Sequence, residues 1–239
     1  MAYLVGMIGL LVQLAISWLL VWMYERNDLR VLGLWPTGKR WLDFGLFFLV
    51  TGVLCASGFL MRTAFGGSGW KVNPNLDASL FFEGLWWHLR SVLFEELIFR
   101  GVLLYILIRK LGAVRAILIS AVAFGIYHWF SFGVIGNVGQ MIQVFFITGL
   151  MGVVYAYGYA KTFSLYLPIG IHLGWNFTQG FIFPGGPIGR GILQPVDERN
   201  FQTNSIPVAL LVYLFPLLSA IVVNFLLIRR KKQKELYTS

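Results

Sequence analysis

Long apolar stretches alternate with short polar connections along almost the whole chain. A membrane-crossing helix needs about 20 apolar residues. The pattern predicts seven such segments: Tyr3–Tyr24, Leu42–Met61, Leu80–Ile108, Ala113–Phe130, Val138–Ala160, Phe163–Phe183 and Ile206–Ile228. The third is longer than one crossing requires, so we expect it to tilt or to contain a break. The sequence therefore predicts an all-α fold, a polytopic membrane helical bundle of about seven transmembrane helices.

Composition excludes an ordinary soluble domain. Of the 239 residues, 58% are hydrophobic and only 12% are charged, whereas soluble domains carry about 25% charged residues. The first apolar segment has no basic residue before it and is long, so we interpret it as a retained span rather than a signal peptide. The single cysteine, Cys55, lies in a predicted span and excludes an intramolecular disulfide and a cysteine-based metal site.

The formal net charge of +9 could suggest a nucleic-acid partner, but its distribution argues against one. If the N-terminus lies outside, the outer connections carry only Arg62, Lys71, Arg190 and Arg199. The inner connections carry most of the remaining basic residues, including the run RRKKQK after the last segment. This asymmetry matches the positive-inside rule. We expect a multi-pass protein of a bacterial cell membrane, with its basic C-terminal tail cytoplasmic and attracted to anionic lipid.

The stretch FEELIFRG places three charged residues inside the third apolar segment. Ionisable residues at such a depth are costly and indicate function by default. Glu96 and Arg100 are four residues apart, so they can pair on one face of a helix. Glu95 is rotated by about 100° from Glu96 and is left free for a site, where a carboxylate suits general-base chemistry.

Two other predicted helices offer partners for Glu95. FGIYHWF places Phe124 and His128 four residues apart, and GIHLGWNF does the same for His172 and Asn176. An imidazole can hold a water molecule or a metal ion, and a side-chain amide can donate to a developing oxyanion. Together the helices carry the groups that water-mediated amide hydrolysis needs.

These motifs resemble, in this order, those of the CPBP family of intramembrane endopeptidases (CAAX proteases and bacteriocin-processing enzymes, also called Abi). EExxxR is Glu95–Arg100, FxxxH is Phe124–His128 and HxxxN is His172–Asn176. The resemblance covers about residues 80–183, the third to sixth spans. It leaves an N-terminal two-span region, residues 1–79, and a C-terminal region, residues 184–239, with an outer loop, the last span and the tail.

The resemblance implies catalytic roles. Glu95 would activate the attacking water, His128 would hold it, and His172 with Asn176 would stabilise the oxyanion. Two mechanisms use the same residues: a metal-free glutamate base, or a zinc ion held by Glu95, His128 and His172 with one open position. The sequence identifies no cofactor, and zinc is the one candidate.

The resemblance also implies supporting roles for the neighbours of these residues. Glu96 and Arg100 would form a structural pair, and Phe124 would pack beside the site. His88 lies two turns before Glu95 on nearly the same face, which would suit an accessory ligand or a group that supports the site, but its flanking tryptophans favour an anchor at the membrane surface.

Other membrane functions are tested by further patterns. HExxH and GxGD are absent, which argues against site-2-type and presenilin-like proteases. GGSG at Gly66–Gly69 matches the rhomboid pattern but lies in a polar loop, so we interpret it as a flexible connection.

The alternatives to a peptidase are a catalytically silent membrane scaffold or immunity-type protein and, less favoured, a small transporter. For a peptidase, the expected partners are membrane lipid and a membrane-associated or lipid-modified peptide. The polar segment 184–205 is either a lid over such a substrate or a connector.

Overall fold

The computed structural model describes residues 2–184 and 189–234. Eight α-helices follow one another within these ranges: α1 Ala2–Glu25, α2 Gly38–Ala64, α3 Ala78–Phe99, α4 Val102–Leu111, α5 Ala113–Ser131, α6 Val138–Thr162, α7 Tyr166–Phe177 and α8 Ile206–Arg229. A short 3₁₀ helix covers Leu29–Leu32, and a π-helical turn, Thr178–Ile182, extends α7. Two three-residue strands, β1 Trp70–Val72 and β2 Leu193–Pro195, complete the described elements.

Five of these helices are long and apolar enough to cross a membrane: α1, α2, α5, α6 and α8. They coincide with five of the seven predicted segments, and the all-α membrane bundle is confirmed. The other two segments differ from the prediction in form. The third is divided into α3 and α4, and the sixth contains the twelve-residue α7, which is almost wholly buried. Helix α3 carries too many charged residues, and α7 is too short, to be counted among the long apolar helices.

The division of the third segment occurs at Gly101, which has ψ of −134°. A Cβ atom there would lie 2.2 Å from the carbonyl oxygen of Leu97, so only glycine fits this bend. The hydroxyl of Ser120 on α5 donates to the Phe99 carbonyl at 2.8 Å and satisfies one of the freed backbone groups at the end of α3. The break therefore ends α3 within the charged motif, and Arg100 is the C-terminal cap of the helix.

Helix α7 is the central helix of the bundle, and two glycines bring it against α2. Cβ atoms on Gly170 and Gly174 would lie 2.6 and 2.4 Å from the carbonyl oxygens of Phe44 and Phe48. Small residues four apart permit such backbone contact between membrane helices. The close contact with α2 fixes the position of α7, and with it the polar side chains that α7 carries.

The basic connections predicted to be internal gather at one end of the bundle. Arg109 at the end of α4 pairs with Glu25 at the end of α1 at 3.0 Å. Lys231 after α8 pairs with Asp43 near the start of α2. The backbone N–H of Lys234 donates to the end of α6 at 3.0 Å. We call this the basic end; the cytoplasmic side of the tail stays a prediction.

The two longer polar connections meet at the opposite end. β1 and β2 pair antiparallel, with Trp70 opposite Pro195 and Val72 opposite Leu193. Within GGSG, the Ser68 hydroxyl accepts from the Asp197 N–H at 3.1 Å. This serine therefore joins two loops. The segment predicted as lid or connector includes residues 185–188, which lie outside the described ones, and its described part is tied to the first loop.

Candidate active site

The charged motif of α3 places its two carboxylates in different surroundings. Glu96 and Arg100 are fully buried, and the Arg100 Nη1 donates to Glu96 Oε1 at 3.1 Å. The spacing-based pair therefore forms. Arg100 Nη2 also donates to the Gly152 carbonyl of α6 at 3.4 Å, and the guanidinium lies 4.0 Å from the centre of the Phe124 ring. The pair thus connects α3 to α5 and α6.

Glu95 points toward two imidazoles from other helices. Its Oε2 atom lies 3.8 Å from His128 Nε2 on α5 and 3.8 Å from His172 Nε2 on α7. Both distances are too long for direct hydrogen bonds. Oε2 is buried and has no hydrogen-bond partner among the residues that the structure describes. The carboxylate oxygen therefore lies between two imidazole nitrogens of other helices and is hydrogen-bonded to neither.

The hydrogen bond of His128 Nδ1 fixes the orientation of the imidazole ring. Nδ1 lies 2.8 Å from the Phe124 carbonyl oxygen, one turn earlier on α5. Because a carbonyl only accepts, Nδ1 carries the proton in this contact and Nε2 presents a lone pair toward Glu95. His128 is 6% exposed, so it is a buried residue rather than part of a lipid-facing aromatic belt.

His172 is held by Glu96 as well as by its own helix. Its Nδ1 lies 2.7 Å from Glu96 Oε1, and the Asn176 Nδ2 lies 3.1 Å from its Nε2. An ionised carboxylate only accepts, so Nδ1 donates to Glu96 and the neutral ring accepts the Asn176 amide at Nε2. The ring stacks on Tyr155 of α6 at a centre distance of 4.8 Å. The supporting pair of α3 is therefore part of the site itself.

Phe124 fills the space between the charged pair and the two imidazoles. Its ring centre lies 4.4 Å from that of His128 and 5.9 Å from that of His172. It is 2% exposed, so it excludes water from this side of the Glu96–Arg100 pair. The structure thus brings together all seven residues named from the sequence.

Two residues of α6 belong to the surroundings of the site and carry no local sequence signal. Tyr155 is an aromatic residue in an apolar span, which is ordinary, and its stacking on His172 requires the tertiary arrangement. Gly152 lets α6 approach closely, since a Cβ there would lie 3.1 Å from the Phe124 ring and 3.2 Å from Arg100. Tyr155 and Gly152 are therefore recognised as part of the site only from their contacts in the folded structure.

The prediction of a surface anchor is wrong for His88. Its side chain is 2% exposed, and Nδ1 lies 2.8 Å from the Gly84 carbonyl oxygen. The ring packs on Phe177 and Phe181 at the end of α7. His88 therefore supports the π-helical turn beside the site.

Glu95, His128 and His172 are the three candidate zinc ligands, and the distances between them show whether they fit a zinc ion. Ligand atoms on tetrahedral zinc, with bonds of about 2.0–2.1 Å, lie closer together than the 3.8 Å between Glu95 Oε2 and each Nε2. His172 Nε2 already accepts the Asn176 amide. No group of three His, Cys, Asp or Glu side chains within residues 2–184 and 189–234 is arranged to hold a metal ion. As arranged, these residues do not form a metal site, and zinc stays a prediction.

The sequence of the chain was compared with protein families, curated proteins and solved structures. The family model described as "Type II CAAX prenyl endopeptidase Rce1-like" matches residues 77–178, which contain every residue of the site. This part of the chain is therefore similar to the CAAX protease family. No curated protein and no solved structure matches it. The five long apolar helices make the chain a multi-pass membrane protein, and residues 77–178 are similar to a family of proteases.

Proposed function

We propose that this CAAX protease relative is an intramembrane endopeptidase in which Glu95 activates the attacking water. One observation carries the proposal: the Nε2 atoms of His128 and His172 converge on the same buried oxygen of Glu95. That oxygen has no hydrogen-bond partner among the described residues. Acceptors separated by 3.8 Å can share a water molecule that donates to both. The geometry therefore favours a held water over a direct ion pair.

In the proposed first step, this water lies between Glu95 and His128. His128 accepts one O–H at Nε2, because its Nδ1 is engaged by the Phe124 carbonyl. Glu95 accepts the other O–H and removes that proton as the water oxygen forms a bond to the peptide carbonyl carbon. Positioning by the imidazole keeps the oxygen lone pair directed at the substrate.

The carbonyl oxygen becomes an oxyanion and requires donors. Asn176 has a second amide hydrogen beyond the one directed at His172, and this hydrogen would donate to the oxyanion. His172, fixed by Glu96 and Tyr155, orients that amide.

The proposed cycle ends with the proton balance restored. Glu95 transfers the proton taken from water to the nitrogen of the leaving amine as the carbon–nitrogen bond breaks. The products are a carboxylic acid and an amine, and Glu95 is again a carboxylate. Glu96 and Arg100 exchange no proton in this scheme, since their contact at 3.1 Å neutralises the Glu96 charge.

The surroundings of His128 support a membrane-associated or lipid-modified peptide as substrate. A groove of about 290 Å³ runs between the end of α5 and the first half of α6, lined by Phe132, Val144 and Ile147 among others. The Phe132 ring centre lies 5.1 Å from that of His128. A largely apolar groove beside His128 suits a chain segment that arrives from the lipid.

Comparative peptidomics tests the proposal in cells. Membranes from cells with the unchanged protein and with Glu95→Ala are compared for peptides whose new ends appear only in the former. We expect at least one membrane-associated protein whose cleavage product is lost in the variant, while the variant protein itself accumulates normally. Identical peptide sets with an unchanged cellular phenotype would instead favour the silent scaffold.

A further inference from the structure

A cavity of about 370 Å³ lies at the basic end of the bundle. It is formed where α2 begins, where α6 passes into α7, and where the chain leaves α8. The charged residues among its lining are Lys39, Arg40, Asp43, Lys231, Lys232 and Lys234. A water molecule takes up about 30 Å³ of liquid, so the cavity has room for a polar group larger than a few waters.

The charge of this lining is strongly unbalanced. Asp43 is its one carboxylate, and it pairs with Lys231. Among the described residues of the lining, the cations of Lys39, Arg40, Lys232 and Lys234 have no further acidic side chain beside them. Burial and the positive charge of Arg40 lower the pKa of Lys234. Like charges held this close are stabilised by an anion between them.

A buried hydroxyl in the same cavity is unpaired. Ser164 is 5% exposed and lines the cavity, and its Oγ has no hydrogen-bond partner among the described residues. Buried hydroxyls are nearly always hydrogen-bonded, so this exception calls for an explanation, such as a bound water molecule or ion. The start of α2, capped by Thr37, borders the cavity and adds the positive end of a helix dipole. Donors and positive charge therefore converge here, and Asp43 is the one carboxylate that the described part of the lining supplies.

We propose that this cavity binds a phosphate group, with the Ser164 hydroxyl and the surrounding cations as its donors. Three of the apolar spans end here, at Gly38, Thr162 and Arg229. The cavity therefore lies at the level where the apolar part of the bundle stops and lipid headgroups begin. The phosphate comes from the headgroup of an anionic phospholipid or from free phosphate, and the chemistry of recognition is the same.

Occupancy of the cavity would act on the first residues of α7. Ser164 lies two residues before Tyr166, where α7 begins, and α7 carries His172. A phosphate bound to Ser164 and to the start of α2 would therefore connect these two elements. The binding itself does not depend on peptidase activity, so its test uses affinity and thermal stability alone.

The experiment uses the full chain, purified and delipidated in a neutral detergent. Thermal unfolding is followed while dioleoyl phosphatidylglycerol, dioleoyl phosphatidylcholine or inorganic phosphate is added, since a ligand of the folded state raises Tm with concentration. The variants are Lys39→Gln/Arg40→Gln and Ser164→Ala. The matched control is Lys71→Gln, an exposed lysine in β1 at the other end of the bundle.

We expect phosphatidylglycerol to raise Tm more than phosphatidylcholine does, and the double variant to bind it about tenfold more weakly. Ser164→Ala should keep the Tm of the lipid-free protein, because it deletes an unpaired group, yet show a smaller lipid-induced rise. Stabilisation by inorganic phosphate as well would identify free phosphate as a sufficient ligand. If the double variant does not fold, Lys39→Gln alone carries the same comparison.

Three results would overturn the inference. They are no rise in Tm with either phosphatidylglycerol or phosphate, an affinity unchanged in the cavity variants, and an equal loss in Lys71→Gln. The last result would mean that general attraction between a basic protein and an anionic surface accounts for the binding.

Discussion

Replacing Arg100 by methionine removes the cation of a fully buried ion pair and keeps a side chain of similar length. In the unchanged protein, Arg100 contacts Glu96 at 3.1 Å and the Gly152 carbonyl at 3.4 Å, and its guanidinium lies over Phe124 at 4.0 Å. Glu96 would be left as a buried carboxylate with His172 Nδ1 as its remaining donor. The variant therefore tests what the pair contributes to the bundle.

The expected cost follows from the burial of both partners. Breaking a buried pair by removing one partner costs about 3–5 kcal/mol, and the lost cation–π contact adds about 0.5–2 kcal/mol. We expect Arg100→Met to lower the free energy of unfolding by about 4 kcal/mol. The double variant Glu96→Gln/Arg100→Met leaves no unpaired charge and should recover about 2 kcal/mol of this, as coupled neighbours do.

Unfolding is measured by titrating sodium dodecyl sulfate into mixed micelles and following the fluorescence of the nine tryptophans. Arg115→Met, at an exposed position in the first turn of α5, is the control and should change the free energy by less than about 0.5 kcal/mol. A loss below about 1 kcal/mol in Arg100→Met, or simple additivity in the double variant, would refute the account of a buried brace.

Three further predictions concern the site and the helix break. Asn176→Ala should lower kcat about 10²–10³-fold with little change in KM if its amide stabilises an oxyanion, whereas an equal change in KM alone would indicate substrate binding. Gly101→Ala should destabilise the protein strongly in thermal unfolding, because its Cβ would lie 2.2 Å from the Leu97 oxygen, and a stable variant would contradict the bend. Exhaustive chelation followed by elemental analysis should leave peptidase activity in metal-free protein, and activity that returns only with zinc would instead establish the metal mechanism.

The local part of the site was predictable because helical spacing is local. Residues four apart share a face, so the contacts of Glu96 with Arg100 and of His172 with Asn176 follow from their positions in the chain. Long apolar runs likewise predict spans directly, as in α2 and α8. These inferences need no knowledge of which helices are neighbours.

The remaining features depend on packing between distant segments. From the sequence, Glu96 is predicted to have a structural role only. In the structure, its carboxylate also accepts a hydrogen bond from His172 Nδ1 of α7 at 2.7 Å. Tyr155 and the pairing of β1 with β2 likewise arise from contacts that no local pattern encodes. His88 was misassigned because flanking tryptophans are typical of a membrane surface, whereas here the histidine turns into the bundle. The periodic spacing of residues predicts which side chains share a helix face, but it does not predict which helix packs against that face.

The role of Glu95 as general base is the central claim, and kcat/KM of the purified protein in lipid nanodiscs tests it most directly. The substrate is a peptide identified by the peptidomic comparison, and the variants are Glu95→Gln and Glu83→Gln. Glu83 lies on the same helix with its side chain 41% exposed, so it is a matched control. The account predicts a loss of about 10²–10⁴-fold for Glu95→Gln with unchanged Tm, and full activity for Glu83→Gln. Cleavage by Glu95→Gln at the rate of the unchanged protein would contradict it.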